Sequence, residues 1–84
     1  MILCWAAKGW GDYLYWQATD KKMLGRINAL IKDIQCNPYE GPGNPEPLRH
    51  NWSGYWSRRI DREHRLVYRV EGDSLIIVQC RYHY

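Results

Sequence analysis

The sequence predicts an α+β fold of order β-α-α-β-β-β, an antiparallel sheet with two helices packed on one face. Three observations carry this. Between Met23 and Ile34 apolar residues recur every three or four positions, the spacing of one helix face. From Trp52 onward apolar and polar residues alternate, as in half-buried strands. The two regimes are separated by residues 37–47, NPYEGPGNPEP, which hold all four prolines of the chain. At 84 residues, positions 1–84 are expected to form a single domain.

Each element has its own reason. Ile2 to Trp5, ILCW, is a short apolar run that reads as a buried strand. From Ala6 to Thr19 the pattern becomes helical, with Trp10, Tyr13, Leu14 and Gln17 recurring at three and four. Gly9 and Gly11 weaken that helix by about 1 kcal/mol each relative to alanine. Thr19 or Asp20 can cap a second helix and so part it from the first. Met23, Ile27, Leu30, Ile31 and Ile34 form its apolar stripe, and Asn37-Pro38 stops it. The loop that follows is expected to be ordered, and prolines on both sides of Glu46 restrict where that carboxylate points. YWSRRI (55–60), RLVYRV (65–70) and SLIIVQCRYHY (74–84) then read as three strands of an antiparallel meander, with DREH and EGD as turns.

Composition narrows the chemistry. Five Trp and seven Tyr but no Phe give aromatic area with polar handles, suited both to a core and to a wet surface. Seven of the eight arginines lie from Arg49 onward. Clustered with aromatics, they favour a partner bearing phosphate or carboxylate groups. Cys4, Cys36 and Cys80 are odd in number and lack C-x-x-C spacing. They suggest neither a disulfide framework nor a metal site, and reduced thiols point to the cytoplasm. No signal peptide or membrane span is legible.

Strand parity gathers the candidate residues. A three-residue turn at Glu71-Gly72-Asp73 pairs Leu66 with Val78 and Tyr68 with Ile76, and is preferred to a two-residue turn on hydrophobic register. Ile76, Val78 and Cys80 then face the core. A similar turn at Asp61-Arg62-Glu63 sets Arg59 opposite Arg65. Arg59, Arg65, Arg81 and His83 are thereby expected on one helix-free face, which Glu46 could overhang. Like charges side by side are unfavourable, so such a cluster suits an anion. A carboxylate, guanidiniums, an imidazole and tyrosines fit metal-independent cleavage of an RNA phosphodiester by its own 2′-hydroxyl. Glu46 is the candidate base, Arg65 with Arg59 the charge stabiliser, and His83 the acid, since histidine exchanges protons near neutrality. Tyr82 and Tyr84 could stack on a base or bond a phosphate. No cofactor is called for. His50 and His64, in a loop and a turn, make a weaker case, and Arg58, Arg62 and Arg69 read as solvated or partner-facing.

The chain also resembles a known family nearly end to end. The resemblance is densest in DYLYWQ followed by TDK, in RINALIKD, EGPGNPEPL, SGYWSRRI, EHRLVY and the terminal CRYHY. These are similar to the YoeB family of the RelE/ParE toxin superfamily. The resemblance implies a RelE-like microbial ribonuclease fold and cleavage of messenger RNA in the ribosomal A site. It implies a cognate, YefM-like antitoxin, a homodimer, and contact with operator DNA only through the antitoxin. Matched position by position, it gives Glu46 as base, His83 as acid, Arg65 as transition-state stabiliser and Tyr84 as the residue that orients substrate. It adds Arg59 as a supporting phosphate contact, and Arg49 where the family is expected to carry lysine; Arg81 and Tyr82, from the residue reading above, complete the expected phosphate or RNA contacts. The competing readings are a noncatalytic relative, such as a ParE-like gyrase poison, and an antitoxin-binding co-repressor of DNA.

Overall fold

In the computed structural model, which describes residues 1–83, Asp20 decides where the two helices part. Its backbone is extended (φ −156°, ψ 95°). Its N–H closes the end of helix α1 (Ala7–Thr19) on the Trp16 carbonyl. Its carboxylate Oδ1 accepts the N–H groups of Lys22 and Met23, 3.1 and 3.2 Å away, at the start of helix α2 (Lys21–Cys36). One residue thus serves both helix ends, its N–H donating to a last-turn carbonyl of α1 and its carboxylate accepting two orphaned N–H groups of α2. The predicted stripe of α2 is buried in full: Met23, Ile27, Leu30, Ile31 and Ile34. Each such side chain withdrawn from water stabilises the fold by about 1.5–3 kcal/mol.

Helix α1 is rotated from its predicted face. Trp10 and Leu14 are exposed, and the buried residues are Gly9, Asp12 and Trp16. Gly9 is the reason. A Cβ there would overlap the Ile77 carbonyl oxygen, so glycine lets the helix backbone rest directly on the sheet. The residue that weakens the isolated helix is the one that docks it.

The sheet has five strands in the order β1-β5-β4-β3-β2. They are β1 (Ile2–Trp5), β2 (Glu46–Pro47), β3 (Trp56–Arg59), β4 (Arg65–Glu71) and β5 (Ser74–Gln79). β2 to β5 are antiparallel, as expected, but β1 runs parallel to β5. The sheet is therefore mixed rather than antiparallel, and it contains an extra two-residue strand from the proline loop. β1 is an edge strand and not a buried one; Ile2 and Leu3 are exposed. Both helices pack on one face, where Leu66, Tyr68, Leu75, Ile77 and Cys80 join the α2 stripe and Trp16 in the core.

The β4–β5 register also differs from expectation. Glu71 pairs with Ser74 and Tyr68 with Ile77, so only Gly72 and Asp73 form the turn. Gly72 supplies its positive φ of 59°. Leu75 and Ile77 face the core in place of Ile76 and Val78. The run Leu75–Val78 is apolar throughout, so its pattern does not distinguish two registers that differ by one residue. An irregularity then intervenes: Val67 pairs with Gln79 while Tyr68 pairs with Ile77, leaving Val78 as an extra residue. That bulge returns Cys80 to the core side, where it was expected. β5 ends at Gln79, five residues before the predicted end of the strand at 84. Among the described residues, no helix is long and apolar enough to cross a membrane.

Candidate functional site

Glu46 reaches the site as part of the sheet. Its strand β2 pairs with β3 through Glu46↔Ser57 and Pro47↔Trp56. Proline at an edge strand costs no ladder bond that a neighbour needs, and the Leu48 N–H on the Tyr55 carbonyl closes this hairpin at 2.9 Å. Ser57 pairs onward with Val67, and Val67 with Gln79. Directly opposed residues share a face, so Glu46, Ser57, Val67 and Gln79 form one row across four strands. In the next row Arg59 lies directly opposite Arg65, as the three-residue turn predicted.

Arg65 leans back across these rows. Its Nη1 lies 3.7 Å from Glu46 Oε1 and 3.5 Å from Ser57 Oγ. The guanidinium is mostly enclosed, with 13% of the side chain exposed, against 45% for Glu46. A fixed cation therefore sits beside an accessible carboxylate, with the exposed Arg59 opposite Arg65 on the neighbouring strand. Beyond Glu46 an open hollow of about 650 Å³ is walled by Arg49, His50 and Trp52, among others. Arg49 is exposed and precedes a short 3-10 turn, His50–Trp52.

The chain end is held by side chains rather than by a ladder. The Cys80 N–H donates to Asp12 Oδ2 at 3.0 Å, and the Cys80 carbonyl accepts the Trp16 indole N–H at 2.9 Å. Two residues later, the Tyr82 N–H donates to His64 Nδ1 at 2.8 Å. The Tyr82 carbonyl accepts the Arg65 N–H at 3.0 Å. Tyr82 has φ 64°, a left-handed conformation that costs a side-chain-bearing residue about 1–2 kcal/mol. Its two hydrogen bonds, at about 1 kcal/mol each, offset that cost. The exposed His83 follows at once, from a peptide carbonyl tied to Arg65.

The structure brings Glu46 and Arg65 together, pairs Arg59 with Arg65 across the strands, sets Arg49 at the hollow beyond Glu46, and ties the backbone before His83 to Arg65. It does not bring Arg81 to that face. The Arg81 guanidinium stacks 3.5 Å from the centre of the Tyr15 ring on α1 and 4.5 Å from that of Tyr82. The left-handed turn and the end of β5 break the parity that had grouped Arg81 with Arg59 and Arg65. Tyr82 is half exposed, beside His64 and Arg81. Tyr84 lies outside the described residues.

Four residues that organise the site were missed or misread. Arg58 is fully buried rather than solvated, as its position opposite Leu66 on the core face requires. Its guanidinium donates to Asp33 and to the carbonyls of Asn37, Glu40 and Pro42, and so anchors the proline loop that delivers Glu46. Alternation placed Arg58 with Trp56 opposite Arg59, and that was the signal available. His64 is buried where a turn suggested exposure. Asp12 and Trp16 share the helical spacing of Gly9, which marks the docked face of α1. Burial, with the Asp12 carboxylate nearby, pushes the Cys80 thiol up to about 12, so this cysteine is an inert core residue.

A family model, the YoeB-like toxin of bacterial type II toxin–antitoxin systems, matches residues 5–84. Toxin YoeB of Escherichia coli K12 is 62% identical over 84 residues, covering 100% of both chains. A solved YoeB/ParE toxin from Agrobacterium tumefaciens superposes with a TM-score of 0.98 at 50% identity, over 100% of both chains. From Staphylococcus aureus, the toxin chain of a heterotetrameric YoeB–YefM complex gives a TM-score of 0.92 at 46% identity. That match covers 100% of this chain and 98% of the other. A YoeB dimer from the same organism gives 0.93 at the same identity and coverage.

Proposed function

The chain belongs to the YoeB-like toxins of bacterial type II toxin–antitoxin systems, and from that premise we propose that it is a ribosome-dependent endoribonuclease that cuts messenger RNA in the A site. One observation carries the chemistry. Arg65 lies beside the Glu46 carboxylate through its side chain and is bonded to the peptide before His83 through its backbone. A base, a cation and an acid are thus linked through one residue.

The reaction needs no group from outside the chain. Glu46 takes the proton of the ribose 2′-hydroxyl, and that oxygen attacks the adjacent phosphorus. Arg65, assisted by Arg59 across the strand pair, stabilises the charge that gathers on the phosphate oxygens. His83 gives a proton to the departing 5′ oxygen as its bond to phosphorus breaks. The products are a 2′,3′-cyclic phosphate and a free 5′-hydroxyl. Arg49 extends the cationic track beside the hollow, and the terminal Tyr84 orients the substrate. The exposed Tyr82 ring is available for stacking, and Arg81 braces it.

We assign residues 1–84 to one toxin unit acting in the cytoplasm, where ribosomes are. A YefM-like antitoxin would inhibit it by covering the Glu46–Arg65 face with an acidic and apolar segment, and a homodimer is the expected assembly. The S. aureus complex and dimer support both assignments. The test is single-turnover cleavage on programmed ribosomes. His83→Gln should slow cutting by about 10²–10⁴-fold, a typical general-acid contribution, at an unchanged melting temperature. A 2′-deoxyribose at the cut position should abolish it. Near-normal cutting in either case refutes the mechanism.

A further inference from the structure

The chain end seats its histidine through another histidine. We propose that His64 is the positioning residue that sets the direction of His83, a role that rests on the acid function proposed for His83. Tyr82 is clamped at both of its peptide groups by consecutive residues of the β4 entry: N–H to His64 Nδ1 at 2.8 Å, and carbonyl from Arg65 N–H at 3.0 Å. The torsions between those two clamps, with φ at 64°, set where His83 leaves the fold.

Chemistry fixes the state of the ring. A backbone N–H always donates, so the nitrogen facing it must offer a lone pair. Nδ1 is therefore unprotonated, and the ring proton sits on Nε2, 3.7 Å from Glu63 Oε1. The ring is held in place. His64 is buried, the Trp16 indole stands edge-on at 4.9 Å, and Tyr82 packs at 5.7 Å. Its backbone is fixed as well: the N–H donates to Asp61 Oδ1 at 2.7 Å, and the carbonyl accepts the Ile60 N–H at 2.9 Å. A side-chain acceptor is required at Tyr82 because β5 has already ended at Gln79 and offers no ladder partner.

The geometry of the acceptor provides the test. His64→Asn carries an oxygen near the place of Nδ1. His64→Gln carries it further out, near Nε2, and His64→Phe keeps a ring with no acceptor. Two quantities are measured: amide hydrogen exchange at Tyr82 in the free protein, and single-turnover cleavage on programmed ribosomes with ribosome affinity determined separately. His64→Phe and His64→Gln should lose protection at Tyr82 and cut about 10–100-fold more slowly at unchanged affinity, the scale of a misplaced catalytic group. His64→Asn should keep both close to wild type. Should His64→Phe fail to fold, the comparison of Asn with Gln at matched melting temperature decides. Cleavage by Gln equal to or faster than Asn overturns the proposal, as does Tyr82 protection that ignores the acceptor. If the wild type does not cut programmed ribosomes at all, the proposed activity fails. Exchange at Tyr82 across the three variants then still upholds or overturns the seat itself.

Discussion

Replacing Arg58 by methionine removes a cation without opening a large cavity, and the structure sets the cost. The guanidinium is fully buried. It donates to Asp33 Oδ2 at 2.6 Å, to the carbonyls of Asn37, Glu40 and Pro42 at 2.6, 3.0 and 3.2 Å, and to the Tyr68 hydroxyl at 3.3 Å. Breaking a buried pair by removing one partner costs about 3–5 kcal/mol. The Asp33 side chain is 36% exposed and can rehydrate, which favours the lower half of that range. The freed carbonyls belong to a surface loop that can open to water, which caps the penalty further. About 3–4 kcal/mol is expected. Total stability for 84 residues is on the order of 4–13 kcal/mol, so at least about a quarter of the margin is at stake. At about 4–8 °C per kcal/mol for a domain of this size, the melting temperature should fall by roughly 12–30 °C. Arg58→Lys keeps a charge for Asp33 but has three donors and no planar fork, so it should lose roughly 2–3 kcal/mol. Urea unfolding followed by tryptophan fluorescence measures both, with amide exchange over residues 37–44 reporting loop release. A loss below about 1 kcal/mol for Arg58→Met, or a lysine variant as stable as wild type, refutes the reasoning.

Glycines nine and eleven should respond with opposite signs to alanine. Gly9→Ala should destabilise by about 1–3 kcal/mol through overlap with the Ile77 carbonyl, whereas Gly11→Ala meets no atom within 4 Å and should gain up to about 1 kcal/mol of helix propensity. Melting temperatures of the two variants decide, and equal signs would contradict the docking. A thiol reagent at pH 8 should label the exposed Cys36 rapidly and Cys80 only on unfolding, since Cys80 is buried with its thiol pushed up to about 12; rapid labelling of Cys80 in the native protein would refute this. Asp61 is affected by burial, which raises its pKa, but N–H donors from His64 and Glu63 outweigh it and hold the carboxyl below its ordinary 3.8. A depressed folded value means that the contribution to stability is present above 3.8 and is lost as pH falls through the folded value. The gap in urea midpoint between wild type and Asp61→Asn should therefore narrow from pH 5 to pH 2.5, and a gap that widens on acidification would contradict the sign.

The sequence by itself determined what local chemistry decides. The α2 stripe, the Asp20 cap, the stop at Asn37 and the turn that opposes Arg59 to Arg65 depend on spacing and on the side chains of neighbouring residues, and all were legible. Arg59 and Arg65 could be grouped on one face because strand alternation survives from β3 into β4, whereas Glu46 could be read only as a loop residue able to overhang that face. Only the tertiary structure decided the rest. The parallel direction of β1 is invisible to alternation, which reads the same in both directions. The β4–β5 register was ambiguous because four successive apolar residues allow either face to be the core. Arg58 and His64 looked like solvent-facing residues because a buried polar group is made tolerable by partners distant in the chain, here Asp33 and the Asn37, Glu40 and Pro42 carbonyls for one, and the Tyr82 N–H for the other. The bulge at Val78 and the left-handed Tyr82 end the alternation just before the site is completed. From that point the path of the backbone is set by Asp12, Trp16 and His64, whose sequence separation from the chain end hides contacts that only folding makes.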